Sequence, residues 1–326
     1  MSNSKMTREY GSKLRQIDRD ELIYRLPPCK IEQVFVATSE IQDWGITMLN
    51  IPSLWRVTAG KNMKVAVLDT GIDFTHPDLE GAVIDSKDFS GSVSGPADMQ
   101  GHGTHVSGII AARKNTQGVV GVAPEAGLLI GKVLGDNGSG SSRSVTSGIE
   151  WAIEQEADII SMSLGSQYPD EFIHSAIKQA IDAGIFVIAA AGNDGFNKVD
   201  FPAAHDEVVA VGSIDRRRKI SSFSSRGPEV DIVAPGDQIL STYPTRTYAR
   251  LSGTSMATPF VAGVVALMLA KHKKFGGSTP INNQKDLVDH LRRTAIDLGP
   301  EGFDEAYGFG LINPVELIDP EVQQPT

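Results

Sequence analysis

From residue 50 onward, short apolar runs alternate with longer segments whose apolar residues recur at helical period. The runs Val65–Leu68, Leu128–Val133, Ile159–Met162, Ile185–Ala190 and Val208–Val211 are β-branched-rich and too short for free-standing helices. They predict central strands buried on both faces. Helices are predicted at Ser144–Ala157, where Ile149, Ile153 and Ala157 share one face, and at Glu171–Ala183, Thr258–Lys273 and Gln284–Thr294. Gly184 and Gly276 stand where helix stops are expected. Strands separated by helices predict an α/β fold, a mainly parallel twisted sheet with helices on both faces. The longest apolar stretch, Phe260–Ala270, is about half the length of a membrane span and predicts a buried helix.

No repeat or Gly/Ser linker divides residues 40–318, which predicts one domain. Residues 1–39 are charged and broken by Pro27-Pro28, and read as an appended arm, whereas the polar tail Asp319–Thr326 is expected to fray. The 326 residues are 40% hydrophobic and 21% charged, a balance that excludes disorder and a membrane protein. Thirty Lys and Arg against 40 Asp and Glu give a formal charge of -10. That field repels phosphate backbones and anionic bilayers, so neither nucleic acid nor membrane is an expected partner. Cys29 is the single cysteine, which excludes an intrachain disulfide and a thiolate metal cluster. Met1–Asp20 contains no apolar signal-peptide core, and the expected location is the cytoplasm. Arg216-Arg217-Arg218-Lys219 is expected in a solvated hairpin, and Trp44, Trp55 and Trp151 in the core.

Three places carry candidate chemistry. Ser255, in Gly253-Thr254-Ser255-Met256-Ala257-Thr258-Pro259, opens the apolar helix, where amide hydrogens and the helix dipole can hold a developing oxyanion. A lone serine there is most often only a cap. His102 and His105, in Gly101-His102-Gly103-Thr104-His105, open another helix through Val106–Ala112, and imidazole suits proton transfer near neutral pH. The pair lacks the spacing and glutamate of the helical zinc motif. Asp69 ends the strand Val65–Leu68 before the turn at Thr70-Gly71, at the edge where open parallel sheets bind ligands. Such aspartates usually bond only nearby amides.

Taken together, Asp69-Thr70-Gly71-Ile72-Asp73, His102-Gly103-Thr104-His105-Val106, Ala190-Ala191-Gly192-Asn193 and Gly253–Pro259 closely resemble the four signature regions of subtilisin-like serine proteases, in order across about residues 40–315. The chain is most similar to the intracellular subtilisins. The resemblance implies an endopeptidase working through an acyl-enzyme. Ser255 would be the nucleophile, His102 the base, Asp69 its orienting acid, and His105 structural. Asn193 and the Ser255 amide would form the oxyanion hole, with Thr254 supporting Asn193. An esterase on the same machinery and a non-catalytic binding module are the competing functions.

The resemblance also implies that substrate lies as a strand between Gly138-Ser139-Gly140 and Ser163-Leu164-Gly165. Leu134, Ser142, Val145 and Leu164 would line one side-chain pocket, left open because Ser142 replaces an aromatic lid. Asp194 and Asp200 would line the primary pocket, where a buried carboxylate favours Lys or Arg; a solvated Asp200 is the bland alternative. A structural Ca2+ is implied at Glu40, Asp78, the Asn115 side chain and the carbonyls of Arg113, Gln117 and Val119. The stretch Tyr24–Lys30 resembles the short inhibitory extension of the intracellular members, without their Leu-Ile-Pro-Tyr core, and is expected to lie across the cleft as in a zymogen. A homodimer is expected by family analogy.

Overall fold

The computed structural model describes residues 22–37, 39–195, 198–275 and 281–318; Gly276 and the tail 319–326, for which a helix stop and fraying are expected, lie outside the described residues. In chain order the elements are β1 (Ile23–Arg25), β2 (Lys30–Phe35), α1 (Trp44–Met48), α2 (Ile51–Leu54), β3 (Lys64–Asp69), β4 (Val83–Asp88), α3 (His102–Ala111), β5 (Gly127–Lys132), β6 (Ser139–Ser141) and α4 (Ser142–Glu154). There follow β7 (Ile159–Met162), α5 (Glu171–Asp182), β8 (Phe186–Ala190), β9 (Val209–Ile214), β10 (Ile232–Pro235), β11 (Ile239–Tyr243), β12 (Thr247–Ser252), α6 (Thr254–Phe275), α7 (Gln284–Thr294) and α8 (Pro314–Ile318).

Seven strands form a parallel sheet in the order β10-β9-β8-β7-β3-β5-β4. The central strands are buried on both faces, as their unbroken apolar runs predict. Side chains alternate between the faces: Val65 and Val67 of β3 join one core with α3 and α6, and Ala66 and Leu68 join the other with α4 and α5. The helix Thr254–Lys273 is long and apolar enough to cross a membrane, but 89% of its apolar window is buried inside the protein. It runs through the middle of the first core, beside α3 and β9.

Helix ends differ from the sequence pattern. α4 starts two residues early because Ser141 caps it, accepting from the Ser144 amide, and it ends at Glu154 so that Ala157 lies beyond it. α6 begins at Thr254, four residues before the predicted start, and carries Pro259 in its second turn. Helix α3 begins at His102, within the segment expected to open it, and ends at Ala111, one residue short of the predicted end. Gly184 adopts φ +85° just after α5, as a helix stop requires.

A second sheet, β11-β12-β2, and the short pair β1-β6 are absent from the pattern reading. They tie residues 22–35, expected to be an appended arm, onto the body: β1 pairs with β6 and β2 with β12, both antiparallel. The Arg216–Lys219 turn is exposed as expected, closed by the Asp215 amide on the Lys219 carbonyl. Trp151 is core, whereas Trp44 and Trp55 are half-buried at its margin. There they are covered by the Arg216 and Lys114 side chains, 5.7 and 5.2 Å from the ring centres.

Candidate active site

Asp69 is the last residue of β3, the strand on whose two sides the chain order reverses, with β5 on one flank and β7 on the other. Its side chain is buried, and its two oxygens lie 2.8 and 3.0 Å from Nδ1 of His102, the first residue of α3. The first of those oxygens also accepts from the Thr70 amide at 2.7 Å. A carboxylate can only accept, so Nδ1 carries a proton, and in the neutral ring the lone pair is on Nε2. Nε2 is buried and has no hydrogen-bond partner among the described residues. Asp69 and His102 can approach because Gly103 lacks a side chain: a β-carbon there would stand 2.2 Å from the Gly71 carbonyl oxygen.

Asp98, which the motif reading passed over, organises this junction. One carboxylate oxygen accepts from the Gln100 and Gly101 amides and the Thr70 hydroxyl, and the other from the Thr104 amide and hydroxyl. Thr70 then accepts from the Gly103 amide at 2.9 Å. Asp98 thereby satisfies amides at the start of α3 that have no partner within the helix. An aspartate four residues before a helix-opening histidine was the available signal. His105 lies one turn on, fully buried, its Nε2 3.0 Å from the carbonyls of Ile239 and Ala249. Burial drives its pKa down to about 3, so it is neutral and spans α3 and the second sheet.

Ser255 sits in the first turn of α6 and is fully buried. Its hydroxyl donates to the Ser163 carbonyl at 3.4 Å, and no hydrogen bond joins it to His102. The Ser163 hydroxyl donates in return to the Ser255 carbonyl at 2.9 Å. That carbonyl is available because Pro259, four residues on, has no N–H to offer it. Asn193 lies just past β8, and its side-chain oxygen accepts from both the amide and the hydroxyl of Thr254, each at 2.9 Å. The Asn193 Nδ2 therefore faces away from Thr254, and it donates to the Pro28 carbonyl at 2.9 Å.

Residues 22–29 thus lie on the edges expected to hold a substrate strand. Ile23, Tyr24 and Arg25 pair with Ser141, Gly140 and Ser139, while Arg25 and Gly165 exchange both backbone bonds at 3.1 and 3.0 Å. The Leu26 amide donates to the Gly138 carbonyl at 3.2 Å. Tyr24 is fully buried in the cluster containing Leu134, Val145 and Leu164, the residues expected to line an open pocket; Ser142 binds the Leu22 carbonyl through its amide. Burial, then Asp170, raises the Tyr24 phenol well above its ordinary range. Beyond Pro28, the Cys29 thiol is raised by burial and next by the Asp69 carboxylate, so it stays protonated. Two consecutive arm residues therefore link the Asn193–Ser255 side of the site to the Asp69–His102 side.

Asp194 accepts from the Gln167 side chain at 3.2 Å and is half-buried, whereas Asp200 is buried, not solvated. Farther off, Asp78 is fully buried and accepts from the Val119 amide at 2.7 Å and the Asn115 side chain at 3.0 Å. Glu40 accepts from the Thr116 amide at 3.2 Å. The carbonyls of Arg113, Gln117 and Val119 accept no hydrogen bond from any described residue. Two carboxylates and three free carbonyls suit a hard cation. Asn115 presents its nitrogen to Asp78 and its oxygen to the Gln117 amide, so its side chain must turn over to serve as a ligand.

The Subtilase family model, Peptidase S8, matches residues 60–310. The chain is 46% identical over 281 residues to the major intracellular serine protease of Bacillus subtilis (strain 168), covering 83% of this chain and 88% of that one. It is 49% identical over 233 residues to an intracellular serine protease of Paenibacillus polymyxa, covering 69% and 72%. Subtilisin DY of Bacillus licheniformis is 44% identical over 258 residues, covering 78% and 90%.

The Asp98 network yields a measurable expectation. Asp98→Ala strips five donors of their acceptor, and should cost about 1–3 kcal/mol in urea unfolding. Because it also loosens the start of α3, the rate of Ser255 labelling by a fluorophosphonate should fall roughly tenfold or more.

Proposed function

The chain belongs to the subtilase family and is a serine endopeptidase, and from that premise we propose that Ser255, His102 and Asp69 are its catalytic triad. Ser255 attacks the carbonyl of an extended polypeptide while His102 Nε2 takes the hydroxyl proton. The same imidazole then protonates the departing amine, leaving an acyl-serine that water hydrolyses by the reverse transfer. Asp69 holds the ring in the Nδ1–H tautomer and stabilises the imidazolium. Asn193 Nδ2 and the Ser255 amide hold the oxyanion. The loss of one such donor costs about 10² to 10³ in turnover in subtilisin, the measured case.

The observation that carries this reading is the Pro28 carbonyl accepting from Asn193 Nδ2 at 2.9 Å, a peptide group seated on the side-chain donor proposed for the oxyanion hole, which Thr254, next to Ser255 in sequence, holds. The unpartnered Nε2 supports it, because a free lone pair is what the base requires. For reaction, the Ser255 hydroxyl must leave the Ser163 carbonyl for Nε2. Gly138-Ser139-Gly140 and Ser163-Leu164-Gly165 hold the substrate backbone, and Leu134 helps to line the pocket that Tyr24 fills.

The arm is an inhibitor in this reading. It supplies backbone bonds on both edges and the buried Tyr24 as anchor, so it competes with substrate for the same groove. Proline at both 27 and 28 makes it a poor substrate. Relatives named as intracellular serine proteases support a cytoplasmic location. The donors around Asp78 support a structural Ca2+ held by Asp78, Glu40, Asn115 and the carbonyls of Arg113, Gln117 and Val119. When bound, that ion would pin the loop after α3 to the segment leading into α1.

Three tests follow from this reading. Ser255→Ala should lower casein cleavage by at least about a thousandfold and leave the arm uncut; residual cleavage near the unaltered rate excludes Ser255 as nucleophile. Tyr24→Ala should raise the initial casein rate roughly tenfold or more, since it removes the anchor without touching β2. Chelation of calcium should lower the melting temperature by roughly 5 °C or more, and an unchanged melting point rejects the ion site.

A further inference from the structure

The Asp200 carboxylate is a buried group beside the groove that the catalytic reading leaves unused. It is 8% exposed, and no described residue donates a hydrogen bond to it. Its backbone is fixed, with the amide donating to the Ala191 carbonyl at 2.9 Å and the carbonyl accepting from the Ala204 amide at 3.0 Å. The carboxylate lies between two glycines that border the groove. A β-carbon on Gly165 would stand 3.0 Å from an Asp200 oxygen, and one on Gly192 would stand 2.6 Å from the same oxygen. Gly165 is the edge residue that pairs with Arg25 of the arm, and Gly192 immediately precedes Asn193. Asp200 therefore sits between the backbone that grips a strand and the amide that grips its carbonyl.

In the arm, Pro27 is the last buried side chain before the carbonyl seated on Asn193, and Pro28 is exposed. Proline brings no cation, so the arm leaves Asp200 unpaired. An isolated buried carboxylate is unfavourable unless something charged completes it. A second carboxylate, Asp194, lies close enough to raise Asp200 further. Two acids beside the glycines that border the groove favour a long side chain with a cationic tip, which gains a charge-assisted hydrogen bond there. An apolar side chain of similar length leaves the carboxylate bare and is disfavoured for that reason.

We propose that Asp200, assisted by Asp194, makes this chain select lysine or arginine as the residue whose carbonyl is attacked. The proposal rests on the peptidase reading above and names the substrate class of that site. Asp200 is a specificity residue, distinct from the groups that move protons.

The test compares tetrapeptide p-nitroanilides that differ only in the last residue, Arg, Lys, Phe or Leu, using the full chain and its Asp200→Asn variant. Arm occupancy scales kcat/KM equally for every peptide, so ratios between peptides are free of it. Arg or Lys should exceed Phe by roughly tenfold or more at pH 7.5, and Asp200→Asn should reduce that ratio by roughly 10- to 100-fold. A measurement on the unaltered chain guards against a misfolded variant. Burial and Asp194 hold the Asp200 pKa at about 6, so its charge is present above that value and lost as pH falls through it. The Arg/Phe ratio should therefore drop between pH 7.5 and 5.5. His102 acts on both peptides alike and cancels, and Asp194 is the charged neighbour whose field acts on Asp200; the Gly165 and Gly192 backbones and Ser225 packed there do not titrate. Phe equal to or above Arg in the unaltered chain, or a ratio indifferent to both Asp200→Asn and pH, overturns the proposal while leaving the peptidase reading intact. No turnover of any peptide together with no fluorophosphonate labelling of Ser255 overturns that reading, and this proposal with it.

Discussion

The contact between the Gly71 carbonyl and Gly103 sets the distance on which the cleft depends. Any β-carbon at 103 would push α3 away from the turn after β3, and the Asp69–His102 hydrogen bond would open with it. The constraint propagates in both directions. Upstream, β3 is fixed by two parallel neighbours and buried on both faces, so the Asp69 end of the strand cannot shift to compensate. Downstream, α3 is tied by Asp98 at its start and by His105 to the carbonyls of Ile239 and Ala249. An imidazole held at Nδ1 by a rigid acid follows from these anchors.

The arm is held by backbone bonds to Ser139–Ser141, Gly138 and Gly165 and by the Asn193 side chain, and this explains how so short a segment can cover the site. On one side of the Pro28 carbonyl, β1 is sandwiched between β6 and Gly165. On the other, β2 continues as the edge strand of the second sheet, pairing with β12 from Lys30 to Phe35. Both flanks of the seated carbonyl are therefore tethered by ladders, so a single cut between them would leave each piece in place. Displacement of the arm requires those ladders to open, and the Tyr24 side chain is the largest apolar surface that must be re-exposed.

The central strands, α5 and α7 were legible because burial on two faces, or on one helical stripe, leaves an unmistakable period in the sequence. β7 and α7 match their predicted bounds residue for residue. The second sheet was not legible. β2 exposes five of its six residues to a large degree, so Lys30–Phe35 shows no apolar run, and only the resemblance of Tyr24–Lys30, not its hydropathy, put this stretch across the groove. The four motifs placed Asp69, His102, Asn193 and Ser255 on element ends because glycine and helix-start signals are local. Asp98 was missed for the opposite reason: its partners are amides and hydroxyls spread from Thr70 to Thr104, and only the fold gathers them. Trp44 and Trp55 look like core in a hydropathy profile because the profile cannot see that Arg216 and Lys114 cover their outer faces.

The irregularities around Ser255 form one consistent set. Pro259 inside α6 forfeits a helical hydrogen bond, a defect that costs about 3 kcal/mol in an isolated helix. Here the freed Ser255 carbonyl is claimed by the Ser163 hydroxyl, which lies on the edge that carries Gly165. The Ser255 peptide unit is thus bonded to the segment that pairs with Arg25 of the arm. Thr254, one residue earlier, binds the Asn193 side chain through both its amide and its hydroxyl, fixing which way Asn193 Nδ2 points. A regular helix would have satisfied the Ser255 carbonyl internally and left these segments without a common tie. The proline is better understood as what couples α6 to the edge that holds β1 than as a tolerated flaw, since the local loss is offset by the bond the freed carbonyl makes there.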